Sequence, residues 1–217
     1  MDAKPQQSGM TRIELLLLLI MWAVIAWVVV VAVQRDIAYR RQNTCLRQVS
    51  MILVSLEMYV GNEDEGMPGH YWTATLNPYL PPKLKISEIP NASHRPRPPD
   101  QHFAEMMWKV PGSPILHCPN DAANGITEPV SYGYNARLLS EDGSGGHLGD
   151  CKSPRTTFVL CEAGPTQMYP YGGLIGATHK QLGSELVNVF PCTRHGQGII
   201  VGYLDGHAEC STSFNAR

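Results

Sequence analysis

The chain has 217 residues, 43% hydrophobic and 17% charged, with a formal net charge of −2. That length holds one ordinary domain with an appendage, or two very small domains. The charge leaves no basic footprint for nucleic acid and no acidic tail, and so apolar a composition excludes a disordered chain.

The 20 Gly and 17 Pro are unevenly placed: the 51 residues from Met10 to Val60 contain neither, whereas residues 61–217 hold 19 of the Gly and 16 of the Pro. One uninterrupted segment therefore precedes a loop-rich body. Within it, Leu15 to Val33 (LLLLLIMWAVIAWVVVVAV) is a run of 19 residues without a polar side chain. As a helix it covers about 28 Å, close to the hydrocarbon thickness of a bilayer. A secretory signal has a shorter apolar region followed by a small-residue cleavage site, but here Gln34, Arg35 and Asp36 follow. A transmembrane part at 15–33 is expected.

Beyond Arg35, apolar residues recur at Leu46, Val49, Leu53, Leu56 and Val60, the spacing of one helix face. Gly61 and Asn62 supply stop chemistry. The pattern predicts one helix over 10–60, about 77 Å long at the usual rise.

In the body, Tyr71 to Leu80 reads as a short helix or turn, Leu80 to Asp100 as a proline-rich surface loop, and Gln101 to Val110 as a short helix. Short β-type runs follow at Pro114 to His117, Val130 to Tyr134, Thr156 to Cys161, Glu185 to Phe190 and Gly198 to Leu204. Asp205-Gly206 before His207-Ala208-Glu209-Cys210 predicts a two-residue hairpin turn with both residues at positive φ. A long helix packed on a small antiparallel sheet with long loops, an α+β plan, is expected.

Glu14 stands at the mouth of the apolar run, where a carboxylate is costly and needs a partner. The segment Ser8-Gly9-Met10-Thr11-Arg12-Ile13-Glu14-Leu15-Leu16 resembles the head of a type IV prepilin or pseudopilin. The resemblance implies a leader of residues 1–9, cut by a prepilin peptidase between Gly9 and Met10, with methylation of the new Met10 amino group. It further implies that Glu14 meets the α-amino group of a neighbouring subunit as helices pack into a filament. A second stretch, His195 followed by nine residues and then Asp205-Gly206, looks like the H-X9-DG domain attached to many prepilin-like proteins. Cys45-Leu46, Cys118-Pro119-Asn120-Asp121 and Ser131-Tyr132-Gly133-Tyr134-Asn135 are similar to further pieces of that family. The body would then span 61–217, with the motif at 195–206.

There are six cysteines: Cys45, Cys118, Cys151, Cys161, Cys192 and Cys210. An even count in an exported, Gly/Pro-rich domain favours disulfides, and a Cys45–Cys118 bond would pin the body to the helix. Zinc is the rival, but no C-x2-C pair exists, and Cys192-Thr-Arg-His195 alone is weak; no metal site is expected. Ten extended residues would hold His195 and Asp205 roughly 33 Å apart unless Gly196 and Gly198 bend the chain sharply. Glu63-Asp64-Glu65 lacks the EF-hand spacing. No cofactor is expected, with structural calcium left open and no ligands mapped.

No G-x-S-x-G, H-E-x-x-H or phosphate-cradling glycine motif occurs, so assembly rather than catalysis is expected. Arg35, Arg40, Arg41 and Arg47 outnumber Lys4 and Arg12, and that count alone would hold the body in the cytoplasm. The cysteines favour the opposite: a single-pass inner-membrane protein with its N-terminus cytoplasmic and its body periplasmic. Expected partners are the prepilin peptidase, other pilin-like subunits, an inner-membrane assembly platform and membrane lipid. The alternative is an unprocessed single-pass protein whose periplasmic body binds a ligand, metal or glycan.

Overall fold

The computed structural model describes residues 11–69, 72–80, 115–120, 130–163, 173–176, 193–196 and 198–213. The architecture is α+β, one long N-terminal helix and a small five-stranded sheet. The chain divides into two compact units, Met1–Arg40 and Arg41–Arg217. The loop over 80–100, the helix over 101–110 and the strand over 185–190 expected from sequence lie, but for Leu80, outside the described residues.

Helix α1 spans Arg12–Asn62 without a break, as the absence of Gly and Pro before residue 61 dictates. Thr11 caps its start: the Thr11 N–H donates to Glu14 Oε2 at 2.7 Å and the Glu14 N–H to Thr11 Oγ1 at 3.3 Å. This reciprocal pair is a capping box, and it satisfies donors that a helix start otherwise leaves unpaired. In the first unit the apolar side chains stand exposed, among them Trp22 and Trp27. By length and composition α1 is apolar enough to cross a membrane.

In the second unit the same helix buries Cys45, Gln48, Val49, Ile52, Leu53, Ser55, Leu56 and Val60. The stripe is wider than the sequence spacing suggested and takes in two polar residues, each with a bond. Tyr132 Oη donates to Gln48 Oε1 at 2.9 Å, and Ser55 Oγ donates to the Met51 carbonyl at 2.9 Å.

The expected stop at Gly61 is corrected. Gly61 lies inside the last helical turn, and the left-handed positions fall to Asp64 (φ 47°) and Glu65 (φ 64°). The Glu65 N–H donates to the Val60 carbonyl at 3.0 Å, the six-to-one bond of a Schellman ending with Asp64 where glycine is usual. The acidic run thus closes the helix.

Helix α2 (Trp72–Leu76) leads into a single 3-10 turn, Asn77–Tyr79. The sheet comprises β1 (Tyr132–Asn135), β2 (Phe158–Glu162), β3 (Leu174–Ile175), β4 (Ile199–Tyr203) and β5 (Ala208–Ser211), in the order β3-β1-β2-β4-β5. The expected all-antiparallel sheet is corrected to a mixed one, because β3 runs parallel to β1. One side of β2 is paired with β1 and the other with β4. The returning chain therefore passes to the free edge of β1, and one reversal after an antiparallel partner leaves it parallel there.

The strand expected over 114–117 is not formed at its described residues, 115–117. Ile115 and Leu116 form a turn, tied through the Leu116 carbonyl, which accepts from the Ser131 N–H at 2.8 Å. The β4–β5 loop differs from expectation as well. The Gly206 N–H donates to the Tyr203 carbonyl at 3.0 Å, the Tyr203 N–H donates to the His207 carbonyl at 2.9 Å, and Gly206 alone takes a left-handed φ, 88°. The loop is three residues, Leu204 to Gly206, and only its last position needs glycine.

Alternation along the strands sorts the core. Tyr132, Tyr134, Leu160 and Ile200 join the buried residues of α1, whereas Cys161, Ile175, Ile199 and Val201 form a second cluster. Gly202 sets the approach of helix and sheet, since a Cβ there would lie 2.8 Å from Val49 Cγ1 and 3.0 Å from Leu53 Cδ1.

Candidate functional site

Four buried side chains from four separate parts of the fold converge within the second unit. Cys45 comes from α1, Cys118 from the turn after Leu116, Glu162 from the end of β2, and His195 from the turn before β4. One donor atom from each lies within 4.8 Å of every other. Cys118 Sγ is 3.4 Å from His195 Nε2, which in turn is 3.1 Å from Glu162 Oε1. The His195 and Glu162 side chains are 1% and 0% exposed.

Local chemistry explains each placement. Cys45 sits on the buried stripe of α1. The Cys118 N–H donates to Ser131 Oγ at 3.0 Å, fixing its turn against the strand that follows. The His195 carbonyl accepts from the Gly198 N–H at 3.0 Å across a tight turn in which Gly196 has φ 68°, a conformation that costs glycine little. Glu162 ends a strand that is buried throughout. Its Oε2 accepts from the Ile200 N–H at 2.9 Å, while Oε1 makes no hydrogen bond among the described residues despite its nearness to His195.

Behind the imidazole, Asn120 Nδ2 donates to the Arg194 carbonyl at 2.9 Å and lies 2.9 Å from His195 Nδ1. In that arrangement Nδ1 accepts and the ring proton sits on Nε2, between sulfur and carboxylate. Burial pushes the His195 pKa down, but the Cys118 and Glu162 contacts outweigh it and hold it up to about 9. A fully protonated ring would need the Asn120 amide turned to present its oxygen. The Cys118 thiol is pushed far above its ordinary range, first by its contact with Cys45 and then by burial. Cys118 therefore stays a neutral thiol where no cation is present.

The residues that sequence had singled out separate here. Cys45, Cys118 and His195 meet; Asp205 does not join them. His195 precedes β4 and Asp205 follows it, in an exposed turn where Asp205 Oδ1 accepts from the His207 N–H at 3.3 Å and contacts the His207 ring. Cys45, Cys118, Cys151 and Cys210 carry free thiols. Cys151 Sγ donates to Thr157 Oγ1 at 3.4 Å, and Cys161 belongs to the second core cluster. Gly9, Met10 and Cys192 lie outside the described residues. Glu14 is occupied by the capping box.

Glu162 was missed from sequence. The signal was present: an acid closing the apolar run Phe158-Val159-Leu160-Cys161 is rarely buried without a partner. No spacing in the sequence points to this grouping, because consecutive donors stand 33 to 73 positions apart and only the folded chain brings them together. Comparison of the chain with protein families, with curated proteins and with solved structures finds no match.

Proposed function

We propose that the chain is a pilin-like subunit, anchored by the first half of α1 and assembled with other such subunits into a type IV pilus or secretion-pseudopilus filament. The observation that carries this reading is continuity. The Gly9-Met10-Thr11-Arg12-Ile13-Glu14 head leads into 19 apolar residues, all but Val31 exposed, and the same helix goes on to supply part of the core of the body. Assembly rather than catalysis is the mechanism: apolar helices leave lipid for a bundle, and Glu14 neutralises the methylated amino group of a neighbour, because a carboxylate in an apolar bundle needs a positive partner. The prepilin peptidase, an inner-membrane platform and sister subunits are the partners, and the body faces the periplasm.

The capping box favours one alternative, an unprocessed single-pass anchor in which Glu14 serves only the helix start and the body binds a ligand. Two substitutions separate the readings when the chain is expressed with a prepilin peptidase and an assembly platform. Glu14→Gln chains are processed but drop out of the sheared filament fraction. Thr11→Ala chains, which lose the cap hydroxyl and keep the carboxylate, still assemble. Equal recovery of wild type and Glu14→Gln contradicts the subunit reading.

A further inference from the structure

We propose that Cys45, Cys118, Glu162 and His195 form a closed, structural zinc site that fastens the second half of α1 to the sheet. This inference goes beyond the assembly role and does not rest on it.

The donor types fit the metal. Two thiolates, one imidazole and one carboxylate suit zinc, which takes four such ligands tetrahedrally when its role is structural. The spacing fits as well. With the usual zinc bond lengths, the edges of such a tetrahedron run from about 3.3 to about 3.8 Å. The two edges that meet at Nε2 are 3.4 Å to sulfur and 3.1 Å to Oε1, and no pair exceeds 4.8 Å.

The second, independent observation is Glu162 Oε1. It belongs to a fully buried carboxylate, lies close to the other three donors and makes no hydrogen bond among the described residues. A buried anionic oxygen requires a cation or a strong donor. His195 Nε2, 3.1 Å away, offers at most one positive charge to a cluster of one carboxylate and two sulfurs. A divalent cation satisfies Oε1 and both sulfurs together.

Binding would release the two thiol protons to solvent with no change of oxidation state. Nε2 would give up its proton on ligating the metal, Nδ1 would carry the one that remains, and Asn120 would turn its amide oxygen toward it, the usual support for a ligating histidine. The short sequence pieces Cys45-Leu46, Cys118-Pro119-Asn120-Asp121, Ser131-Tyr132 and His195 then share one physical purpose. They supply three donors, the Asn120 contact to the ring and the Ser131 hydroxyl that holds Cys118.

The test uses the full chain in detergent, reduced, stripped with chelator and titrated with Zn²⁺ or Co²⁺ alone. The expected result is one tightly held equivalent per chain. Cobalt should give a thiolate-to-metal charge-transfer band of two-sulfur intensity and the strong visible bands of a tetrahedral site, both displaced by zinc. Cys118→Ser and His195→Ala should abolish stoichiometric binding, and Glu162→Gln should weaken it at least about 10-fold. Cys151→Ser and Cys210→Ser should leave it unchanged.

Variants of buried donors can fail to fold, so the wild-type cobalt spectrum decides by itself. A weak octahedral spectrum, or no retained equivalent, overturns the proposal. So does a Cys45–Cys118 crosslink in chain isolated without reductant. Processing at Gly9 affects none of these readouts, so failure here is distinct from failure of the subunit reading.

Discussion

Glu162 divides its carboxylate between two tasks: Oε2 accepts from the Ile200 N–H at 2.9 Å, and Oε1 lies 3.1 Å from His195 Nε2. A charged group at the end of a buried strand is thereby built into the sheet on one side and aimed at a polar cluster on the other. Burying it costs several kcal/mol unless it is paired. The fold accepts that cost at the place where helix, turn and sheet meet.

Two tyrosines two residues apart on β1 offer a matched comparison. Tyr132 Oη donates to buried Gln48 Oε1 at 2.9 Å, so Tyr132→Phe should lower stability by about 1–2 kcal/mol. Tyr134 is equally buried, stacks near Trp72 with ring centroids 6.0 Å apart, and its hydroxyl has no partner among the described residues. Tyr134→Phe should be neutral or gain up to about 1 kcal/mol. Urea unfolding of both variants checks this, and equal losses would contradict it.

What was legible in the sequence follows the range of the interactions involved. α1 could be read because its signal is local: no Gly or Pro, an apolar run, then a period of three and four. The Thr11–Glu14 capping box is equally local, written as T-x-x-E. β3 is two residues long and owes its existence to the free edge of β1, so no local pattern marks it. The cluster of Cys45, Cys118, Glu162 and His195 has one member per element, and no spacing rule reaches across that distance. Glu162 in particular stood just past the expected end of its strand.

At Gly202, β4 lies close against Val49 and Leu53 of α1. Gly202→Val would drive a branched side chain into Val49 and Leu53, and a loss of about 1–3 kcal/mol is expected for overpacking of this kind. Thermal unfolding measures it. A truncating partner change, Leu53→Ala, should recover part of the loss in the double variant, and strict additivity would argue against the contact.

Asp64 occupies a left-handed position at the end of α1, with φ 47°. Asp64→Gly relieves that conformation and should raise stability by about 0.5–1 kcal/mol. Gly61→Ala, inside the last turn with open space around its Cα, should be stabilising by a similar amount. A loss for Asp64→Gly in denaturant titration would show that the acid holds a bond worth more than the strain.

The β4–β5 turn carries a pH signature. What desolvation Asp205 feels raises its pKa, but bonds and charge from His207 prevail, and the carboxyl titrates below its ordinary value of 3.8. A depressed acid contributes stability that is present above its unfolded pKa and lost as pH falls through the folded one. The hairpin should therefore loosen only below about pH 4. Carbon NMR of the Asp205 carboxyl follows this directly, and Asp205→Asn should remove the pH dependence while keeping the side-chain acceptor. A midpoint at or above the ordinary value contradicts the assignment.

The central claim, that α1 begins as a processed pilin-like head, is tested most directly by the intact mass and N-terminal sequence of the chain expressed with and without a prepilin peptidase. The account predicts that the peptidase removes residues 1–9 and leaves Met10 as the new terminus carrying one methyl group. A chain that keeps Met1 to Gly9 under both conditions contradicts it, and would leave the body as a tethered domain whose buried donor cluster is the place to look for its function.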